Sequence, residues 1–147
     1  MFAFRIFVLA LTVIVLIPSA AHFFELPGKI GLGEDAYFTV QGIYAGWALF
    51  AIPIFAAILA NVVLFLIHRK RCIAGSQWAL ISASLTVISL GIFFGWVFPG
   101  NQATANWTAQ PENWEELRRN WEYGHATNAV IVFLAFLATA AAVIRRD

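Results

Sequence analysis

The stretch Pro99–Asn128, PGNQATANWTAQPENWEELRRNWEYGHATN, separates two long apolar runs, and the rest of the chain is organised around it. It holds three of the six tryptophans, four of the eight acidic residues and one of the three histidines. The apolar runs on either side carry almost no charge, and each approaches the ~20 residues that a membrane-spanning helix needs. The polar stretch is therefore predicted to lie outside a membrane, between two spanning helices.

Composition extends this picture to the whole chain. Of its 147 residues, 61% are hydrophobic and 12% are charged, whereas a soluble domain carries about 25% charged residues. The apolar runs cover roughly residues 4–24, 43–67, 78–98 and 126–144. The sequence predicts an all-α protein with a single integral membrane domain, whose four helices cover roughly residues 4–26, 36–68, 77–98 and 111–145.

The residue inventory excludes several classes of protein. Cys72 is the only cysteine, so the chain has no internal disulfide and no cysteine-based metal cluster. The sequence contains no phosphate-binding loop, no serine-hydrolase motif and no nucleic-acid signature. We expect the partners to be the lipid bilayer and a lipophilic small molecule, with no nucleic acid.

The basic residues predict the orientation. With both termini in the cytoplasm, six basic residues lie inside and three outside, in agreement with the positive-inside rule. The inner group is Arg5, Arg69, Lys70, Arg71, Arg145 and Arg146, and the outer group is Lys29, Arg118 and Arg119. All acidic residues except Asp147 then lie outside. The expected fold is a four-helix transmembrane bundle with up-down-up-down topology.

The first apolar run has a second interpretation. Residues 1–21 fit a cleaved signal peptide, with Arg5, a short apolar run and a Ser19-Ala20-Ala21 end. We expect instead that this segment is retained as the first helix. Pro27-Gly28 is then predicted to end that helix, and the glycine-rich link that follows is expected to be solvated.

The fourth helix is predicted to begin before the membrane. Pro111 is a favourable first helical residue, and acidic side chains follow it in the first turns. A helix from Pro111 to Ile144 would be about 50 Å long, which exceeds the ~30 Å hydrocarbon core. We therefore expect an extracytoplasmic helical extension before the fourth helix, within Trp107–Tyr123, which either stands above the membrane or bends over it at Gly124.

One face of this extension carries an unusual stripe. It consists of Trp114, Arg118, Trp121, His125 and Asn128, which recur at helical spacing. Alternation of indoles with Arg, His and Asn is typical of the wall of a polar pocket. The predicted substrate pocket consists of Tyr44, Trp114, Trp121 and Asn128, with Gln41 and Tyr123 as further candidates. The alternative is an aromatic belt at the membrane interface.

Two His–Glu pairs are predicted to face each other outside the membrane. His22 and Glu25 lie three residues apart at the end of the first helix, and Glu122 and His125 lie three apart before the fourth, so each pair shares a helix face. Two helices that each contribute Glu and His can hold a metal in a bundle, and these ligands suit iron, copper or zinc. His22 and His125 could instead be the axial ligands of a haem. With no cofactor, the same residues would cap helix ends or remain solvated.

Small residues suggest close helix packing. Gly42 and Gly46, and Gly91 and Gly95, form two Gly-xxx-Gly faces that let a neighbouring helix approach. The neighbour could be a helix of the same chain or of a second copy, so a homo-oligomer is possible.

The sequence resembles a known family of small membrane proteins. The shared residues are Pro99-x-Asn101, Trp107, Trp114-x-x-Leu117-Arg118, Trp121 and His125, together with AHFFELPGK at Ala21–Lys29 and TVQGIYAGWALF at Thr39–Phe50. This pattern is similar to the four-helix proteins of the anthrone-oxygenase-like superfamily, including bacterial members. The resemblance implies a multi-pass protein of a bacterial inner membrane. Fungal relatives oxidise polyketide anthrones to anthraquinones with molecular oxygen.

By this resemblance, the catalytic residues would be Asn101, Arg118, Trp121 and His125. The sequence departs from the pattern at Asn128, where a second arginine is expected, and in its additional His22-x-x-Glu25 pair. Both departures leave the substrate open.

Two functions follow as hypotheses. The first is an oxygenase-like membrane oxidoreductase, in which a metal or haem near the extracytoplasmic face acts on a lipophilic aromatic substrate. The second is a non-enzymatic membrane component, such as an accessory subunit, a lipid-binding protein or an assembly factor, whose polar pocket is structural.

Overall fold

A computed structural model describes residues 1–70 and 72–145, and within these ranges the chain is helical with no β-strand. The α-helices are α1 (Phe2–Lys29), α2 (Glu34–Gln41), α3 (Ala51–His68), α4 (Ile73–Ile92), α5 (Phe98–Ala103) and α6 (Trp114–Ile144). A π-helical turn, Phe93–Val97, joins α4 to α5. Three charged residues used to predict the orientation, Arg71, Arg146 and Asp147, lie outside the described residues.

Four helical segments are long and apolar enough to cross a membrane, namely Phe2–Lys29, Trp47–His68, Ile73–Ala103 and Trp114–Ile144. Their outward faces expose large apolar side chains such as Phe2, Leu59 and Val87. In water such surfaces would be unfavourable, but lipid tails solvate them. The prediction of an all-helical protein with four helices able to span a membrane is therefore confirmed.

Small side chains hold these helices together. α6 packs against α1 and α4, while α3 packs against α4 and α1. Ala57, Ala79, Ala135 and Ala138 are buried at these contacts, where small residues let helices approach closely. α6, the last of the four long apolar helices, therefore lies at the centre of the packing, in contact with both α1 and α4.

A neutral hydrogen-bonded chain crosses the middle of the bundle. Thr139 Oγ1 donates to Asn61 Oδ1 at 3.1 Å and lies 2.7 Å from Ser82 Oγ. Since a threonine hydroxyl has one proton, Ser82 must donate to Thr139. These three residues, which we call the mid-bundle chain, are fully buried and link α3, α4 and α6.

The second predicted helix is interrupted. The sequence predicted one helix over residues 36–68, but α2 ends at Gln41, and two 3₁₀ turns, Gly42–Tyr44 and Trp47–Phe50, precede α3. Gly46 has a φ of 84°, which glycine adopts without the penalty that a Cβ imposes. The break lets Tyr44 and Trp47 turn towards His22, with ring centroids 4.6 and 5.3 Å away.

Two helices also end or begin at residues other than those predicted. α1 continues through Pro27-Gly28 to Lys29, where the sequence predicted a stop, and this extra turn carries Lys29 into the bundle. α6 begins at Trp114 rather than at Pro111, which lies in the preceding turn. The reason is that Asn113, with a φ of −92° and a ψ of 23°, departs from helical geometry.

The glycine pairs predicted to pack closely do not approach another helix within residues 1–70 and 72–145. A Cβ added at Gly42, Gly46, Gly91 or Gly95 would meet no atom within 4 Å in the described part of the protein. These faces are open to lipid or to a second copy. Oligomerisation through them stays a prediction.

Candidate functional site

The structure brings His22 and His125 together, as the sequence predicted. α1 packs along α6, and the two imidazole rings stack with centroids 3.9 Å apart and planes inclined by 25°. Trp121 lies edge-on to both rings, at 5.1 Å from His22 and 4.2 Å from His125. The histidines therefore lie in an aromatic enclosure that also includes Tyr44 and Trp47.

The two carboxylates of the predicted metal site are engaged elsewhere. Glu25 accepts a hydrogen bond from the hydroxyl of Tyr44. Glu122 Oε1 accepts from Lys29 Nζ at 2.8 Å and from the Tyr37 hydroxyl at 2.9 Å. The structure thus separates the four predicted ligands into a histidine pair and two carboxylates in a different network.

This arrangement does not fit the cofactors suggested by the sequence. Among the described residues, no group of three or more His, Cys, Asp or Glu side chains could hold a metal ion. The nitrogen lone pairs lie in the ring planes, so stacked imidazoles direct them alongside each other rather than towards one point. Centroids 3.9 Å apart also leave no space for a macrocycle between the rings.

Lys29 is the centre of a buried polar cluster. The cluster consists of Glu25, Lys29, Tyr37, Gln41, Tyr44 and Glu122, and we call it the Lys29 cluster. The Lys29 ammonium donates to the Tyr44 hydroxyl at 2.8 Å and to Gln41 Oε1 at 3.4 Å, besides Glu122. It also lies 4.5 Å and 4.6 Å from the ring centroids of Tyr44 and Trp121. Cation–π contacts of this kind partly replace lost hydration.

The ion pair within the cluster is almost free of solvent. Glu122 is fully buried, and the Lys29 side chain is 6% exposed. Burial raises the pKa of the Tyr37 hydroxyl above its ordinary value, and the Glu122 carboxylate beside it raises that pKa further. Burial likewise raises the pKa of Tyr44, with a further increase from the hydrogen bond to Glu25. Both tyrosines therefore remain neutral hydrogen-bonding groups beside the ion pair.

Two buried atoms beside the ion pair have no partner among the described residues. Glu122 Oε2 and His22 Nδ1 make no hydrogen bond, although more than 90% of buried polar groups in proteins do. An unpaired carboxylate oxygen in a dry interior is costly. A hydroxyl or N–H group of a ligand would satisfy either atom by donating a hydrogen bond to it.

Asn101 fixes the indoles that enclose the site. Its Oδ1 accepts from Trp121 Nε1 at 2.8 Å and from Trp107 Nε1 at 3.1 Å. Trp107 reaches this position through a turn in which Ala105, Asn106 and Trp107 all have positive φ, at roughly 1–2 kcal/mol for each residue. Asn101 therefore positions the two rings and does not itself point at the histidines.

The remaining predicted residues differ in their surroundings. Arg118 is buried over the ring of Trp114, with its guanidinium carbon 4.6 Å from the centroid, and donates to the carbonyl of Leu32 at 2.5 Å. Asn128 is half-buried, with an unpartnered Oδ1. Tyr123, by contrast, is 48% exposed.

Sequence reasoning missed Lys29, Tyr37 and Trp47. Lys29 follows Pro27-Gly28 and was expected in a solvated link, but continuation of α1 buries it. A signal for Tyr37 was present, because Tyr37, Gln41 and Tyr44 have the spacing of one helical face. The bond from Gln41 Nε2 to the Tyr37 hydroxyl, 2.6 Å long, follows from that spacing.

Comparison with known proteins gives no further guide to the site. No family model, no curated protein and no solved structure matches the chain.

Proposed function

We propose that the protein is an oxygenase-like membrane oxidoreductase that acts on a lipophilic aromatic substrate. Its site comprises the Lys29 cluster and the histidine pair. The proposal draws on the resemblance to anthrone oxygenases and on the chemistry that this site supports. The reactive group of such a substrate would be an enol or a phenol attached to an aromatic ring system.

The same proposal includes the position of the site in the membrane. Arg5 Nη2 lies 3.2 Å from His68 Nε2, whereas His22 stacks on His125. These contacts support an up-down-up-down bundle with one basic end and one polar aromatic end. By the positive-inside rule the basic end is cytoplasmic, so the site lies near the extracytoplasmic face. The first turns of α6 would then form the predicted extension.

One observation carries the functional proposal, namely the buried ion pair between Lys29 and Glu122. Removal of two charges from water costs several kcal/mol per ion, and ionisable groups at membrane depth are commonly functional. Lys29 Nζ lies within 5.6 Å of the ring centroids of Tyr37, Tyr44 and Trp121, and Glu122 Oε2 has no hydrogen-bond partner among the described residues. A purely structural contact needs none of these features.

The residues can be given roles in oxidation of an anthrone. In that reaction the ring methylene loses two hydrogen atoms and gains one oxygen atom from O₂, and the second oxygen atom leaves as water. Lys29 would stabilise the enolate oxygen formed when the methylene loses a proton. His22 Nδ1, which is unpartnered, would accept that proton. Trp121 and Trp47 would pack against the ring system.

Oxygen uptake by the purified protein in lipid nanodiscs tests the proposal. With anthrone as the probe, we expect oxygen consumption matched by anthraquinone formation. Lys29→Met should lower the rate by roughly 100-fold or more, because one preorganised charge contributes about that much. Glu34→Gln, on an exposed position of α2, is the matched control and should retain the wild-type rate.

Other results would contradict the proposal. Absence of oxygen uptake by wild-type protein with anthrone and with lipophilic hydroquinones would favour the non-enzymatic hypothesis. Equal rates for Lys29→Met and wild type would show that the cluster is not the site. Elemental analysis and the Soret region of the same samples test the metal and haem predictions.

A further inference from the structure

A chain of hydrogen bonds leads from Lys29 towards the partly exposed end of α1. Its neighbours Tyr37, Gln41 and Glu122 are buried, whereas Tyr44 and Glu25 are partly exposed. Tyr44 accepts a hydrogen bond from Lys29 Nζ at 2.8 Å and donates its own proton to Glu25. Hydrogen bonds therefore lead, without a gap, from the buried ammonium to a carboxylate near the end of α1.

We propose that Tyr44 and Glu25 form the proton outlet of the Lys29 cluster. Lys29 transfers a proton to the Tyr44 oxygen as Tyr44 transfers its original proton to Glu25. One N–H bond and one O–H bond break, and two O–H bonds form. Lys29 is left as a neutral amine, Tyr44 is again a hydroxyl, and Glu25 is a neutral carboxylic acid. No electron is transferred.

The hydrogen-bond directions support this order. An ammonium has only donors and a carboxylate only acceptors, so the tyrosine hydroxyl between them must accept on one side and donate on the other. Burial keeps the pKa of Tyr44 above its ordinary value. Tyr44 thus passes protons on without remaining ionised, as a relay requires.

The charged and titratable groups that face Lys29 come from every element around it. They are Glu25 and His22 on α1, Tyr37 on α2, Tyr44 in the following turn, and Glu122 and His125 on α6. Of the two carboxylates, Glu122 is fully buried. It can share the proton of Lys29 but cannot release it, which leaves Glu25 as the terminal acceptor.

This inference deepens the proposed function and rests on it, because the route sets the charge of Lys29, the residue proposed to stabilise the enolate. A rapid pH jump applied to wild-type protein, without substrate, measures the path separately. The Trp121 contribution to the tryptophan fluorescence, obtained by comparison with Trp121→Phe, reports the charge state of Lys29, since the ammonium lies 4.6 Å from its ring. Failure of the proposed function would appear as absent oxygen uptake, whereas failure of the proton route would appear in the fluorescence relaxation after the pH jump.

We expect Tyr44→Phe and Glu25→Gln each to slow the fluorescence relaxation by about 100-fold. Both substitutions preserve shape, so the aromatic contacts of Tyr44 with His22 and Trp47 are retained. Glu25→Asp, which retains the carboxyl group, should restore part of the rate, and Glu34→Gln should have no effect. An unchanged relaxation in either Tyr44→Phe or Glu25→Gln would overturn the proposal, as would equal slowing in Glu34→Gln.

Discussion

Two buried polar networks in this bundle differ in charge and in completeness. The mid-bundle chain of Ser82, Thr139 and Asn61 is neutral, and none of its side-chain atoms is left unpartnered within the described residues. The Lys29 cluster contains an ion pair, and Glu122 Oε2 is buried without a partner. A neutral, complete network stabilises a fold at little cost, whereas a charged, incomplete one is costly. This difference is the reason for placing the proposed site at the Lys29 cluster.

The largest expected effect comes from breaking the ion pair. Lys29→Met would leave the Glu122 carboxylate buried without a counter-charge, so we expect the free energy of unfolding to fall by about 3–5 kcal/mol. Unfolding in mixed micelles, followed by circular dichroism, measures the loss. A fall below about 1 kcal/mol would mean that the pair is hydrated, and the contrast with the mid-bundle chain would disappear.

The double variant Lys29→Met/Glu122→Leu separates stability from function. With both charges removed, no ion is left unpaired, and we expect most of the lost stability to return. Anthrone oxidation should not return, because the residue that stabilises the enolate is still missing. Recovery of both properties would assign the pair a structural role.

The second prediction concerns the aromatic enclosure. Asn101→Leu would leave the indole N–H groups of Trp107 and Trp121 unpaired, and we expect a loss of about 2–3 kcal/mol. Tryptophan emission should also shift, because both indoles change surroundings. Asn101→Asp keeps an acceptor oxygen and serves as the control, with most of the stability retained. If Asn101→Leu is as stable as Asn101→Asp, the enclosure is not held by this residue.

Much of the architecture was predictable because long apolar runs without charge clearly indicate membrane-spanning helices. Long uncharged segments must be helical in lipid, so the four spanning helices followed from composition and length. The approach of His22 to His125 was also predictable, although the stacking of the two rings was not. Their spacing from Glu25 and Glu122 placed each histidine on a helix face near the same membrane surface.

The partners of the carboxylates were not predictable, because they depend on where helices end. Pro27-Gly28 ordinarily terminates a helix, yet α1 continues to Lys29 and supplies the cation that binds Glu122. The break at Gly46 similarly decides that Tyr44 and Trp47 approach His22. Both outcomes depend on tertiary packing, which cannot be predicted from the helix propensity of the local sequence.

The third prediction tests how closely the site is fitted to the adjacent helix. A Cβ at Gly124 would lie 2.8 Å from Val97 Cγ2, in the π-helical turn that contacts α6. Gly124→Ala should therefore reduce the free energy of unfolding by about 1–2 kcal/mol and displace the neighbouring Glu122. Gly91→Ala, where a Cβ meets no described atom within 4 Å, is the matched control. Equal stability of the two variants would show that Val97 moves aside freely.

The smallest expected effect lies in the mid-bundle chain. Thr139→Val keeps the shape of the side chain but removes both hydrogen bonds, to Asn61 and from Ser82. Because such bonds between membrane helices average about 0.6 kcal/mol, we expect a loss of only about 1 kcal/mol. Oxygen uptake and the pH-jump relaxation should both stay at the wild-type rate. A large loss of activity in Thr139→Val, with the protein still folded, would mean that the neutral network also belongs to the site. Charge and unpaired atoms would then no longer separate the functional network from the structural one.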